Sequence, residues 1–232
     1  MQLLSLVMPV HNEGATLTET LKSLGDVNFP IPWELIVVDD GSTDGAVEQV
    51  TRDLVPDADR VVIVRARSNR GKGSALRKGF ELARGDILGV QDADTEYNPH
   101  QIPDLLQPIL DGRAEVVFGT REFGAHASYS YRYVLGNRLL SHFASALFDR
   151  YVTDIYTCYK FFTRDHYEAL RLTADGFEIE AELTGGLLRN GARVYEQPIS
   201  YIARSREEGK KIRAADGLKG IARLLRVRIR GW

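Results

Sequence analysis

Ile87-Leu88-Gly89-Val90-Gln91-Asp92-Ala93-Asp94 runs from four apolar positions straight into two carboxylates. The apolar part predicts a buried strand over residues 86–91, with Asp92 and Asp94 just beyond its end. Side chains alternate along an extended chain, so residues two apart point the same way. Both carboxylates can therefore face one ligand, and Glu96 keeps the same parity if the chain stays extended. Hard oxygen donors of this kind suit Mg2+ or Mn2+ held partly by substrate phosphates. A solvated acidic turn or a helix N-cap produces the same triplet, so the surrounding segments have to decide.

Working outward, further strands are predicted over residues 4–10, 34–39, 60–65 and 115–120. Amphipathic helical patterns lie between them over 15–24, 44–54, 73–83 and 102–110. This alternation implies an α/β fold, with parallel strands joined by helical crossovers in a doubly wound sheet. Ligands of such sheets sit beyond the carboxyl ends of the strands. The polar segments fall there: His11-Asn12-Glu13, Asp40-Gly41-Ser42, Asn69-Arg70-Gly71-Lys72-Gly73 and Asp92-Ala93-Asp94. The second half is less regular, with a helix over 133–148, a strand over 159–163, a helix over 178–189 and a strand over 193–199. No internal repeat, low-complexity run or Pro/Gly/Ser linker divides the chain.

A chain of 232 residues that is 44% hydrophobic can bury a core without staples. The single Cys158 has no partner for an internal disulfide, which points to a reducing, cytoplasmic compartment. The first apolar stretch has no basic residues before it and no small-residue cleavage site after it, so it reads as a strand and not a leader. No apolar run approaches the roughly 18 residues needed to span a bilayer, and any membrane contact is expected to be peripheral. The net charge of -2 hides an asymmetry: residues 204–232 carry ten Lys and Arg against three acids, so this tail is +7 and the remainder -9. Such a tail suits an anionic surface, and a solvated basic helix accounts for it equally well.

Several constellations narrow the chemistry. Asp39 and Asp40 end a strand, where one carboxylate can accept hydrogen bonds from a ribose or a base N–H while Thr43 or Asp44 caps the next turn. Residues 69–74 resemble a phosphate cradle at a helix N-terminus, yet lack the Gly-x-x-x-x-Gly-Lys-Ser/Thr spacing of a P-loop and the Gly-x-Gly-x-x-Gly of dinucleotide sites. The five histidines show no ligand spacing.

Taken in order, residues 8–13, 37–44, 69–73 and 91–94 resemble the family 2 glycosyltransferases of the GT-A fold, a nucleotide-diphospho-sugar transferase fold whose mostly parallel central sheet is flanked by helices. The resemblance continues through 118–121, 153–160 and 207–212, which are similar to the dolichol-phosphate mannose synthase-like branch. It implies transfer of a hexose from a GDP- or UDP-sugar to a polyprenyl or dolichyl phosphate with inversion, with Mg2+ or Mn2+ as cofactor. By the same resemblance, Pro9, His11, Glu13 and Asp40 line the nucleoside pocket, Asp92, Ala93 and Asp94 serve the metal and diphosphate, and Glu96 is a further metal-side position. His11 stands where Tyr is common, and Glu96 where the mannose synthases often carry Gln. Residues 1–203 are then the catalytic domain, about 1–120 for the nucleotide and 121–203 for the acceptor, and 204–232 is a basic segment that could lie in a membrane interface.

Breaking a sugar–diphosphate bond builds negative charge on the leaving group, which a divalent cation and a side chain such as Lys72 or Arg204 can stabilise. A phosphate acceptor is already an anion near neutral pH and needs a cationic pocket more than a base. Arg121, Arg138 with Ser141, and Arg204 with Lys210 and Lys211 are the candidates; each arginine taken singly also reads as a surface ion pair. The helix around Arg138 offers apolar contacts to a lipid or packs in the core, and its pattern fits both. The expected partners are a nucleotide-sugar, a polyprenyl phosphate and an anionic membrane surface at its cytoplasmic face, with no nucleic acid. A hydroxyl acceptor would need a base, for which Asp154, Glu178 and Glu180 are available; a non-catalytic nucleotide-sugar-binding protein is the remaining alternative.

Overall fold

The near-continuous apolar runs of β1 (Leu4–Val10) and β2 (Trp33–Asp39) are what strands covered on both faces require, and nearly all their residues are buried. In a computed structural model that describes residues 2–127, 131–204, 211 and 214–230, they lie side by side and parallel. β3 (Arg60–Arg65) extends the sheet beyond β2, and β4 (Ile87–Val90) pairs with β1 on the other side, both parallel. The register sets Val10 opposite Asp39 and Val7 opposite Val90, so residues 11, 40 and 92 leave the sheet at one edge. The crossover helices α1 (Leu17–Gly25) and α2 (Lys72–Leu82) bury Leu17, Leu21 and Leu24, and Ala75, Leu76 and Phe80, at helical spacing.

After α3 (Ile102–Leu110) comes β5 (Val116–Thr120), which does not pair with β4. β7 (Lys160–Thr163) lies between them, antiparallel to both, and β8 (Val194–Pro198) completes the order β3-β2-β1-β4-β7-β5-β8. The sheet is thus mostly parallel with one reversed strand. Gly89 of β4 makes this pairing possible, because a Cβ there would stand 2.4 Å from the Phe161 ring. A short pair, β6 (His126–Ala127) with β9 (Tyr201–Ile202), and the small helix α5 (Arg164–Glu168) complete the periphery and were not predicted.

The helix predicted over 44–54 does not form; two separate 3₁₀ turns, Val47–Gln49 and Arg52–Leu54, take its place. Val50 and Thr51 between them are β-branched and extended, and the Asp44 carboxylate is engaged by the amides of Gly14 and Ala46. Three helices build the remaining layer: α4 (Tyr131–Phe148), α6 (Ile179–Arg189) and α7 (Ala214–Arg230). α7 lies within the basic segment and packs on α6. Leu224 and Val227 are buried, Arg223 pairs with the buried Glu182 at 2.9 Å, and Arg189 donates to the Val227 carbonyl.

Candidate active site

The strand ends converge on one cavity of about 1170 Å³. Pro9, His11 and Glu13 reach it from β1, Asp40 from β2, Lys72 from the start of α2, and Asp92, Ala93, Asp94 and Glu96 from β4. Arg121 enters after β5, and Arg204 and Lys211 close one side. Most of the residues expected from the sequence are therefore brought together. Arg138 and Ser141 do not line the cavity. Arg138 is half exposed and faces Glu122 at 3.3 Å, while Ser141 is buried and accepts from the Ile155 amide. Lys210 lies outside the described residues, as do Arg206 and Trp232.

The loop before α2 shows what those residue types are for. The amides of Arg70 and Gly71 donate to the two Asp40 oxygens at 2.9 and 2.6 Å, and the Ser74 amide donates to the Asp175 carbonyl. Gly71 adopts a φ of 109°, and a Cβ would stand 2.4 Å from that same carbonyl, so only glycine fits. These three amides are spent within the protein, and of the segment read as a phosphate cradle Asn69, Gly71 and Lys72 line the cavity. Among the described residues the buried His11 Nδ1, by contrast, has no hydrogen-bond partner, and His11 lines the cavity.

Charge is distributed unevenly. Arg204 contacts three carboxylates, Glu13 at 2.9 Å, Asp94, and Glu96 at 3.8 Å, and Lys211 adds an ion pair to Glu13 at 2.6 Å. Glu96 also accepts from the Arg204 amide and the Tyr201 hydroxyl. Among the described residues, two cations thus face three carboxylates. Burial pushes the Asp94 carboxyl up to about 7, and repulsion from Asp92 and Glu96 adds to the rise. Burial acts in the same direction on Asp92, but the Lys72 ammonium at 2.9 Å outweighs it and holds that carboxyl below its usual range.

Among the described residues, no three His, Cys, Asp or Glu side chains stand together as a metal cluster. Two cavity-facing carboxylates on hard oxygen atoms are nevertheless the protein share that Mg2+ takes when phosphates and water supply the rest. Asp92 and Asp94 fit such a cation.

Several residues in and behind the cavity wall have partners that the sequence did not show. Arg121 forms a two-pronged ion pair with Asp154, Nε at 2.6 Å and Nη2 at 2.8 Å, with Asn137 donating to the same carboxylate and the guanidinium stacked 4.8 Å over the Tyr201 ring. Asp154, read as a possible base, is buried and held ionised: burial opposes its charge, and Arg121 prevails. Glu180 is buried between Lys72 and Lys160. Beyond the polar end, the cavity continues between α4 and α7 along Leu139, Leu140, Phe143, Leu218 and Ile221. Only the apolar residues around Arg138 hinted at this branch.

The family model for glycosyl transferase family 2 matches residues 5–171, more than half of the chain. The glycosyltransferase AglJ of Haloferax volcanii is 29% identical over 86% of this chain, which spans 63% of that protein, less than two thirds of its length. The polyprenol monophosphomannose synthase of Mycolicibacterium smegmatis is 29% identical over 90% of this chain and 83% of its own. Among solved structures, the glucosyl-3-phosphoglycerate synthase of Mycobacterium tuberculosis, in complex with Mn2+, UDP and glucosyl-3-phosphoglycerate, superposes with a TM-score of 0.70 at 22% identity. That match covers 98% of this chain and 80% of the other.

Proposed function

The chain belongs to glycosyl transferase family 2, and on that premise we propose that it transfers a hexose from a GDP- or UDP-sugar to a polyprenyl phosphate, with inversion and with Mg2+ or Mn2+. The observation that carries this reading is the two-part cavity, whose charged end at Asp92, Asp94, Lys72 and Arg204 opens into an apolar branch between α4 and α7. A phosphate head at the first and a hydrocarbon chain along the second match a lipid phosphate. The named activity of the Mycolicibacterium relative supports the same acceptor class.

In the proposed reaction an acceptor phosphate oxygen attacks the anomeric carbon, the bond to the nucleoside diphosphate breaks, and the products are a glycosyl lipid phosphate and the nucleoside diphosphate. Asp92 and Asp94 would hold a divalent cation, which when bound would neutralise charge on the departing diphosphate. Lys72 and Arg204 present positive charge to the same oxygens. Glu96, engaged by Tyr201 and by the Arg204 amide, holds Arg204 in place. His11 faces the nucleoside.

The alternative of a hydroxyl acceptor finds no free base among the three carboxylates that the sequence offers for it. Asp154 is neutralised by Arg121, Glu180 stands between two lysines, and Glu178 does not line the cavity. The exposed faces of α4 and α7, which reach the cavity at Leu139 and Leu218, also argue for a bilayer. Leu218, Leu225 and Ile229 form an exposed apolar stripe on α7 opposite the buried Leu224 and Val227, Leu135 and Leu139 are exposed on α4, and Arg226 and Arg228 flank the stripe. Apolar insertion bordered by basic side chains is how a helix lies in an anionic interface. Among the described residues no helix is long and apolar enough to cross a membrane.

The test is a panel of GDP- and UDP-hexoses with Mg2+ or Mn2+ and a short polyprenyl phosphate, read by product mass. A hexosyl lipid phosphate is expected. Transfer to soluble hydroxyl acceptors with none to the lipid phosphate would overturn the acceptor assignment.

A further inference from the structure

Lys160 is wholly buried at the first position of β7, a place where an ammonium is tolerated only if all its protons are used. They are: it donates to the Ile155 carbonyl at 3.0 Å, to the Thr157 carbonyl at 2.6 Å and to Glu180 Oε2. Lys160 is therefore an anchor with nothing left to give a ligand. Its effect is to fix one Glu180 oxygen and leave the other, Oε1, facing Lys72 Nζ at 3.0 Å.

Lys72 is shared. Its ammonium hydrogen-bonds Asp92 Oδ2 at 3.1 Å and lies 2.9 Å from Oδ1, whereas its contact with Glu180 Oε1 is close but not aligned as a hydrogen bond. Two lysines and two carboxylates make this group neutral as it stands. A divalent cation on Asp92 removes half of the negative charge that holds Lys72, and an ammonium at the start of a helix is already disfavoured by the helix dipole. Glu180 is the remaining counter-charge.

We propose that Glu180 is a positioning residue, which keeps the Lys72 ammonium in the cavity, directed at the donor diphosphate, when Asp92 is taken by the cation. The proposal rests on the nucleotide-sugar reading above and adds to it a division of labour: Asp92 serves the cation, Glu180 serves Lys72, and Lys160 serves Glu180. A carboxamide in place of Glu180 has one acceptor oxygen for two ammoniums. The buried Lys160 keeps it, and Lys72 is released.

The experiment is calorimetry on the full chain with Mg2+, titrating UDP and GDP and then UMP and GMP, for the wild type, Glu180→Gln, Lys72→Met and the double variant. Glu180→Gln should weaken diphosphate binding about tenfold, the scale of one hydrogen bond to a charged group, and leave monophosphate binding within about twofold. Lys72→Met should do the same, and the double variant should bind no more weakly than Lys72→Met alone, because Glu180 acts through that ammonium. Equal losses of mono- and diphosphate, losses that multiply in the double variant, or unchanged diphosphate binding would each overturn the proposal. A wild type that binds neither UDP nor GDP would remove the nucleotide-sugar reading itself. If Glu180→Gln does not fold, the wild type labelled with 15N-lysine decides: the Lys72 ammonium signal should persist when Mg2+ and UDP are added, and its loss would overturn the assignment.

Discussion

Arg121 at a strand end and Arg204 in the basic tail both read from the sequence as candidates for an anionic ligand, and the structure gives them opposite surroundings. Arg121 meets one buried carboxylate with two matched hydrogen bonds, and Asn137 completes the set. Arg204 is shared among three carboxylates, with Lys211 beside it on Glu13. The first arrangement is closed in charge: one guanidinium and one carboxylate cancel, and the carboxylate takes up both prongs of the arginine and the Asn137 amide. Among the described residues the second sets three carboxylates against two cations, and one carboxyl is raised to about 7 by burial, Asp92 and Glu96. On the proposed function, the matched ion pair holds the fold and the shared cluster is where the ligand belongs.

The comparison is broken most directly by removing one member of each ion-pair set in turn. Arg121→Ala strands the buried Asp154 and should cost about 3–5 kcal/mol of stability, whereas Asp94→Ala, which lowers repulsion in its cluster, should leave the melting temperature nearly unchanged. Denaturant unfolding of both variants checks this. Equal stability losses would mean that the two sites are not different in kind.

The two faces of α7 sharpen it further. Leu224→Ala empties a fully buried position against α6 and should cost about 2–4 kcal/mol. Leu225→Ala, one residue on and more than a third exposed, should cost well under 1 kcal/mol and instead weaken sedimentation with anionic vesicles. Vesicle binding that survives Leu218→Ser, Leu225→Ser and Ile229→Ser together would move the membrane contact elsewhere. Removing α7 whole is a poorer test, since it also takes away Arg223 and its pair with Glu182. The smallest effect is expected for Arg138→Ala, a half-exposed partner of Glu122, at about 0–1 kcal/mol. A larger loss of lipid-phosphate KM than of stability would return Arg138 to the acceptor site.

The closed and open regions also differ in how far the sequence reveals them. In the open one the carboxylates are legible locally, although the cations that meet them, Arg204 and Lys211, stand 108 to 198 positions away from them. Parity after β4 placed Asp92 and Asp94 together, and the polar segments after β1 and β2 reached the same edge because the parallel register is level there. The closed one depends on pairings across the chain: Arg121 with Asp154, Lys72 and Lys160 with Glu180, and Glu182 with Arg223 join residues 20 to 108 positions apart. Nothing in the spacing of Glu180 separated a base from a buried counter-ion, so it was read as a possible base. The reversed strand β7 and the broken 44–54 segment were missed for a related reason, since strand partners and anchoring hydrogen bonds override local periodicity. In α7 the alternation of Leu, Arg, Val and Ile pointed to an interface but not to which apolar residues face the protein.

Hexose transfer to a short polyprenyl phosphate, followed by product mass in wild type and Asp94→Ala with Mn2+ and with excess chelator, tests the central claim, that the unbalanced carboxylates are the metal and diphosphate site. Product is expected only from the wild type with metal, with both proteins folded by circular dichroism. Full transfer by Asp94→Ala, or by the wild type in chelator, would contradict it.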